Sequence, residues 1–347
     1  MKIVGKKLVS LPCSKLEGEF RVPGDKSISH RALMLGALGR GETIIEGFLA
    51  SKDCLSTASC MEKLGAKVRW KGKNCVSIIS EGRNSLQEPL EVLDAGNSGT
   101  TARLITGMLA SLPLFAVVDG DSSLKKRPMD RIANPLRQMG ACILGRSNAK
   151  FLPLSIKGAV LSPISYRLPV ASAQVKSAIL LAALGAQGVT HLVEPFPSRD
   201  HTERMLKYLG VPLKKTGNSI WIKGGASWEG QYFKVPGDIS SAAFLLVAAV
   251  IVPGSRLVIK EVGVNQTRSG IIEVLRAMGG DIRLERLQEF SGEPVADIIV
   301  RGKKKPLTAI TVGGSLIPRL IDELPVLAVA ASLAQGETVI KDAKELR

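Results

Sequence analysis

A polar loop containing Gly or Ser, followed by an almost wholly apolar segment, recurs five times along the chain. The clearest echo is Val22-Pro23-Gly24-Asp25 ahead of Lys26-Ser27-Ile28-Ser29-His30-Arg31, answered by Val235-Pro236-Gly237-Asp238 ahead of Ile239-Ser240-Ser241-Ala242. The other copies open near Asn97-Ser98-Gly99-Thr100, Ser172-Ala173-Gln174 and Ile321-Asp322-Glu323. A period this long means that one supersecondary unit has been multiplied, and it restricts the chain to architectures made by stacking that unit.

The apolar segments run over 32–38, 104–110, 178–184, 243–249 and 326–331, and their composition predicts helices. A helix apolar on every side in a soluble protein is expected to be buried all round. A second, amphipathic helix is predicted in each of the first four copies. It ends at Gly65, Gly140, Gly210 or Gly279, the residue type that stops a helix in the left-handed conformation. Short β-like runs such as Lys67-Val68-Arg69-Trp70 and Ile282-Arg283-Leu284-Glu285 follow. The unit therefore reads β-α-β-α-β-β. Two VPGD tetrapeptides heading two sets of copies predict a duplicated domain. Residues 23–235 form the first domain with three units; residues 1–22 plus 236–347 form the second, lacking the end of the fifth unit and the sixth.

The chain has 347 residues, with Lys+Arg 47 against Asp+Glu 31 and a formal net charge of +16. Two readings fit that excess: a generic basic surface, or attraction of an anionic partner. Aromatics are only 4% and no nucleic-acid-binding motif is present, so small anions fit better than a polymer. The five cysteines (13, 54, 60, 75 and 142) form no CxxC pair, which implies a reducing compartment and neither a disulfide framework nor a zinc site. With no N-terminal leader pattern and no apolar run of bilayer length, the expectation is a cytoplasmic, membrane-free protein.

Lys26, Ser27 and Arg31 form the sharpest chemical cluster. Asp25 has an ordinary explanation as an N-cap. Cations at the head of a helix oppose its dipole, and become favourable when an anion sits on the free backbone N–H groups. The pattern is not a P-loop, because Asp25 and not Gly precedes Lys26. In the second copy, Gly99 permits close backbone approach by another anion, beside Asn97, Arg103 and the Lys125-Lys126-Arg127 run; a plain turn explains the same residues. Ser172 and Gln174 fit either caps or ligands. Ser198-Arg199-Asp200 reads as a cap with an anion ligand. Asp322 and Glu323 place carboxylates at a helix start, where the dipole alone favours them.

At these residues the chain resembles the 5-enolpyruvylshikimate-3-phosphate (EPSP) synthase family. The matching segments are GDKSISHRA, DAGNSGTTARL, GDSSLKKRPMDRI, PVASAQVKSA, PSRDHTERML, VPGDISSAAF and LIPRLIDELPVLA, in family order along the chain. The resemblance implies an α/β enolpyruvyl transferase fold, an inside-out barrel of two domains hinged near Val22 and Val235 and closing on a cleft. It implies transfer of the enolpyruvyl group of phosphoenolpyruvate to the 5-hydroxyl of shikimate 3-phosphate, by a monomer without metal or organic cofactor. Lys26, Ser27, Arg31, Ser172, Ala173, Gln174, Ser198, Arg199 and Asp322 would meet shikimate 3-phosphate. Lys26, Asn97, Gly99, Arg127 and Gln174 would meet phosphoenolpyruvate, with Lys26 and Asp322 catalytic and Asp322 the base. Gly99 stands where some members carry Ala and reject glyphosate, so an intact form is expected to be glyphosate-sensitive. The family continues past a motif like Ala343-Lys344-Glu345-Leu346-Arg347 into further substrate-gripping residues, so this polypeptide alone is expected to be impaired. Two alternatives remain: the sister transferase acting on UDP-N-acetylglucosamine, and a non-catalytic anion- or nucleic-acid-binding relative.

Overall fold

The computed structural model of the chain describes residues 2–4, 7–9 and 13–343; Lys344–Arg347 of the terminal motif lie outside the described residues. Strands β1 (Lys2–Val4), β2 (Lys7–Val9) and β3 (Glu17–Phe20) lead into the first copy. That copy contains α1 (Lys26–Leu38), β4 (Arg40–Glu46), α2 (Lys52–Lys63), β5 (Lys67–Gly72) and β6 (Cys75–Glu81). The second contains β7 (Leu93–Asp94), α3 (Gly99–Ala110), β8 (Phe115–Asp119), α4 (Asp130–Gln138), β9 (Cys142–Gly145) and β10 (Phe151–Lys157). The third contains β11 (Ser165–Arg167), α5 (Ala173–Ala183), β12 (Val189–Val193), α6 (His201–Tyr208), β13 (Leu213–Thr216) and β14 (Ser219–Lys223). After β15 (Tyr232–Lys234) come α7 (Ile239–Ile251), β16 (Arg256–Gly263), α8 (Gly270–Ala277), β17 (Asp281–Phe290) and β18 (Glu293–Arg301). The last stretch holds β19 (Thr311–Val312), a 3-10 turn over Ile321–Glu323, α9 (Leu324–Ala331) and β20 (Val339–Ile340).

The chain divides into two compact units. One comprises Pro23–Pro236 with Glu289–Glu293; the other comprises Met1–Val22, Gly237–Gln288 and Pro294–Arg347. In the first unit the sheets run β7-β8-β10-β9, β11-β12-β14-β13 and β15-β4-β6-β5; in the other, β3-β16-β18-β17 repeats the pattern. In the second, third and last copies the strand before the apolar helix pairs in parallel with the strand after it, as a β-α-β crossover requires. Two leading strands are exchanged: β15 completes the sheet of the first copy against β4, and β3 completes that of the fourth against β16. No sheet closes on itself among the described residues, so the expected inside-out barrel is realised as separate four-stranded sheets, each ended by the third strand of its unit.

The amphipathic helices stop as their glycines predict. Gly65, Gly140, Gly210 and Gly279 have φ of 96°, 105°, 77° and 99°. Each time the next residue donates its N–H back to the last turn, for example Ala66 to the Met61 carbonyl at 3.1 Å and Val211 to that of Leu206 at 2.9 Å. In the Pro23–Pro236 unit, α1, α3 and α5 lie in one core; Ala32, Leu104 and Ile179 are each fully buried. α3 and α5 approach so closely that a Cβ on Gly107 would sit 2.2 Å from the Ala178 carbonyl oxygen. Burial all round does not extend to α7 and α9, which leave Phe244 65% and Val329 49% exposed. These two helices pack on one another and leave those side chains uncovered, whereas α3 in the other unit is flanked by both α1 and α5.

Candidate active site

Asp25 caps α1 by accepting the Ile28 N–H at 2.9 Å, so it fixes where the helix begins and puts Lys26 at its first position. The Lys26 ammonium reaches Asp53 at 3.2 Å, a half-exposed pair that an incoming anion can reorganise at small cost. One turn on, Arg31 is buried. Among the described residues its guanidinium donates to neutral oxygens: Thr202 Oγ1 at 2.7 Å, Ser177 Oγ at 2.7 Å and the Ser27 carbonyl at 2.9 Å. Burial lowers its pKa to about 10, partly opposed by the charge of Glu203, and it stays cationic at neutral pH. Beneath this helix His30 Nδ1 meets Thr57 Oγ1 at 2.7 Å, and Thr57 meets Thr101 at 2.7 Å. That buried run of polar contacts joins α1, the middle of α2 and the first turn of α3.

Ser98 caps α3 through the Thr101 N–H at 3.0 Å, leaving Gly99 at the first helical position. Arg103 donates to Gln174 Oε1 at 2.5 Å, and Gln174 returns a hydrogen bond from Nε2 to Thr100 at 3.1 Å, tying α3 to the start of α5. Asn97 is bridged by Asp121 at 2.6 Å and Arg127 at 2.8 Å. Burial, reinforced by the nearby Arg127 and Arg131, lowers the Arg103 pKa, so three guanidiniums share one positive field. Ser172 caps α5 at Val175, with Ala173 as its first residue. Ser198 is buried and donates its hydroxyl to Glu194, while Arg199 after it is half-buried. One unit carries Lys26, Ser27, Arg31, Asn97, Gly99, Arg127, Ser172, Ala173, Gln174, Ser198 and Arg199, most of them at or just before helix starts; contacts tie Arg31 to Ser27, Arg127 to Asn97, and Arg103 beside Gly99 to Gln174.

Asp322 lies in the other unit. It stands on the 3-10 turn before α9 and accepts Arg268 Nη1 at 2.9 Å. Arg268 also reaches Ser240 Oγ at 2.8 Å and Asp238 at 3.3 Å, so it ties the second VPGD loop to the candidate base. Arg268, Lys176 and Glu194 escaped the reading of the sequence. A lysine inside an otherwise apolar helix was the available signal, because a buried ammonium demands partners.

The model of the family described as EPSP synthase (3-phosphoshikimate 1-carboxyvinyltransferase) matches residues 11–347. The chain belongs to this family. A protein of that enzyme name from Pelotomaculum thermopropionicum is 56% identical over 332 residues, covering 96% of this chain and 77% of its own length. One from Brevibacillus brevis is 53% identical, with 96% and 78% covered. Among solved structures, EPSP synthase from Acinetobacter baumannii superposes with a TM-score of 0.88 at 46% identity, over 96% of this chain and 75% of that one. The enolpyruvyl transferase NikO from Streptomyces tendae shares the fold, with a TM-score of 0.75 at 17% identity over 94% of this chain and 75% of that one. The expected α/β enolpyruvyl transferase class holds.

Proposed function

We propose that the chain transfers the enolpyruvyl group of phosphoenolpyruvate to the 5-hydroxyl of shikimate 3-phosphate, with release of inorganic phosphate. The observation that carries this reading is Arg31, a buried guanidinium whose hydrogen bonds go to neutral oxygens, beside Lys26 at a capped helix start. Such a cation is a standing site for a phosphate dianion. Ser27, Ser172, the Ala173 backbone, Gln174 and Arg199 complete the shell for shikimate 3-phosphate. Gly99, Asn97 and Arg127 receive phosphoenolpyruvate, with Gln174 and Lys26 shared between the two anions. The same reading takes residues 23–235 as one domain and 1–22 with 236–347 as the other.

In the reaction, the 5-hydroxyl oxygen bonds to C2 of phosphoenolpyruvate as the C2–C3 double bond opens; Asp322 takes the hydroxyl proton and C3 takes a proton from water. In the tetrahedral adduct the C2–O bond to phosphate then breaks, phosphate leaves with that electron pair, and C3 returns a proton to water, restoring the double bond. Charge gathers on the departing phosphate, where Lys26 and Arg127 stabilise it most. The Lys26-Ser27 pair and the names of the relatives favour shikimate 3-phosphate over a UDP-sugar acceptor.

Titration calorimetry tests the reading. Shikimate 3-phosphate should bind, and Lys26→Ala should weaken it by roughly 2 kcal/mol, about thirtyfold, for loss of one charge-assisted hydrogen bond. Salt-dependent retention of DNA with no heat from shikimate 3-phosphate would overturn the proposal in favour of nucleic-acid binding.

A further inference from the structure

Between α5 and α6 lies a buried ionic cluster that the reaction itself does not use. Lys176, fully buried, contacts Glu194 Oε2 at 2.9 Å and Glu203 Oε1 at 2.8 Å; both carboxylates are buried too. Burial alone would lower the Lys176 pKa, but Glu203 and Glu194 together push it above its ordinary value, so the ammonium is fixed. Lys215, partly exposed, adds a fourth charge at 3.7 Å from Glu203 Oε1; a cluster of this kind is a poor source of stability, because desolvating its buried charges offsets most of their attraction. Its hydrogen bonds point elsewhere. Glu194 Oε1 accepts both the Ser198 N–H, at 3.2 Å, and the Ser198 hydroxyl, while Lys176 donates to the Ser198 carbonyl at 3.2 Å. All three polar groups of Ser198 are thereby committed inward, and the next residue is Arg199.

The same pair of helices carries the partners of Arg31. Ser177 follows Lys176, Thr202 precedes Glu203, and their hydroxyls meet at 2.7 Å while both accept from Arg31. The Lys176–Glu203 ion pair thus joins the two helices one residue away from the hydroxyls of Ser177 and Thr202 that face the guanidinium.

Resting on the functional reading above, we infer that Lys176, Glu194 and Glu203 are positioning residues for the substrate phosphate: they hold Arg31 and Arg199 in place, and Ser198 serves as an internal tether and not as a ligand. The readout is the preference for shikimate 3-phosphate over unphosphorylated shikimate, measured by calorimetry on the whole chain. General loosening of the fold weakens both ligands alike, whereas loss of positioning weakens only the phosphorylated one.

Glu194→Ala should cut that preference roughly tenfold, the effect of misplacing one charge-assisted contact. Glu194→Gln, which still accepts from Ser198, should restore it to within about threefold, and Ser198→Ala, which keeps both backbone links, should also stay within about threefold. Should Glu194→Ala fail to fold, Glu194→Asp replaces it, since it keeps the charge opposite Lys176 but withdraws from Ser198; the same selective loss is expected. An unchanged preference in a folded Glu194→Ala or Glu194→Asp protein overturns the inference. So does a loss in Ser198→Ala as large as that in Arg199→Ala, which would make the hydroxyl a ligand. If the unaltered chain ignores shikimate 3-phosphate, the functional reading falls first and this one with it.

Discussion

Replacing Gly107 by Ala sets two effects of opposite sign against each other. Helix propensity favours Ala over Gly by about 1 kcal/mol at an interior position, so a reading of α3 alone expects a more stable protein. The structure expects the reverse. The added methyl would stand 2.2 Å from the Ala178 carbonyl oxygen, 2.6 Å from its Cα and 2.7 Å from its carbonyl carbon. Normal contact needs about 3.4 Å or more, so α3 and α5 would have to part by roughly 1 Å. Overpacking of this kind costs about 1–3 kcal/mol or more, and here the obstacle is backbone that no rotamer change can clear. Cost exceeds gain, leaving a net loss of about 1–2 kcal/mol. For a unit of this size, that lowers Tm by roughly 2–8 °C. Thermal unfolding followed by circular dichroism reads it directly. A second substitution, Ala178→Gly, should give no rescue, because the clash is with the main chain. A Gly107→Ala protein as stable as the parent, or a full rescue by Ala178→Gly, would refute the claim that this glycine is required by helix approach.

Three further outcomes are expected. In Gly99→Ala the methyl meets Arg103 Nη1 at 2.9 Å and Arg127 Nη1 at 3.4 Å, both ends of flexible side chains. Stability should therefore change by less than about 1 kcal/mol, while calorimetric affinity for phosphoenolpyruvate and glyphosate falls roughly tenfold and that for shikimate 3-phosphate moves little; equal losses for all three would contradict the assignment. Burial pushes the Cys54 and Cys60 thiols up to about 12, so a thiol reagent at pH 8 should label exposed Cys13 and Cys142 and reach Cys54 and Cys60 only after unfolding, as peptide mapping will show. Burial and then the Arg31 charge lower His30 from 6.5 to about 3, so as pH falls below 6.5 the unfolded chain takes up a proton that the native one refuses. Stability should decline as pH falls through that window, by up to about 1.4 kcal/mol per pH unit from this group. Urea titrations between pH 6.5 and 5 should show a shallower slope in His30→Gln, and an unaltered slope would dismiss the buried neutral imidazole.

Local rules carried much of the fold. Asp25 and Asp238 cap their helices, although the first accepts from the third residue onward and the second from the N–H of Ser240, two residues on. The stop glycines and the β-α-β-α-β-β order follow from periodicity and backbone preference, which nearest neighbours in sequence decide. Pairings between distant segments are not written in that way. Nothing near Phe20 says that it will pair with Ile259, and nothing near Lys176 names Glu194 and Glu203 as its partners. The candidate site was legible as residue types at helix starts, because free N–H groups and misplaced cations announce an anion. Which hydroxyls face outward was not: Ser198 resembles a ligand in sequence, yet spends its hydroxyl on Glu194.

The exchange of leading strands also sets a timetable. β4 leaves the ribosome early, but its parallel partner β15 is encoded near residue 232, paired Ile44 to Tyr232 and Glu46 to Lys234. At about 5–20 residues per second, β4 waits roughly 10–40 s with one edge unsatisfied. β3 waits longer still for β16, paired Glu17 to Arg256. The nascent chain thus carries open strand edges through most of its synthesis, a state in which pairing with a neighbouring chain competes with pairing in cis. A permuted gene that brings Tyr232–Lys234 next to Arg40–Glu46 would shorten that exposure, so the order in which the gene delivers its strands, as much as their chemistry, governs how much of this protein reaches its native form.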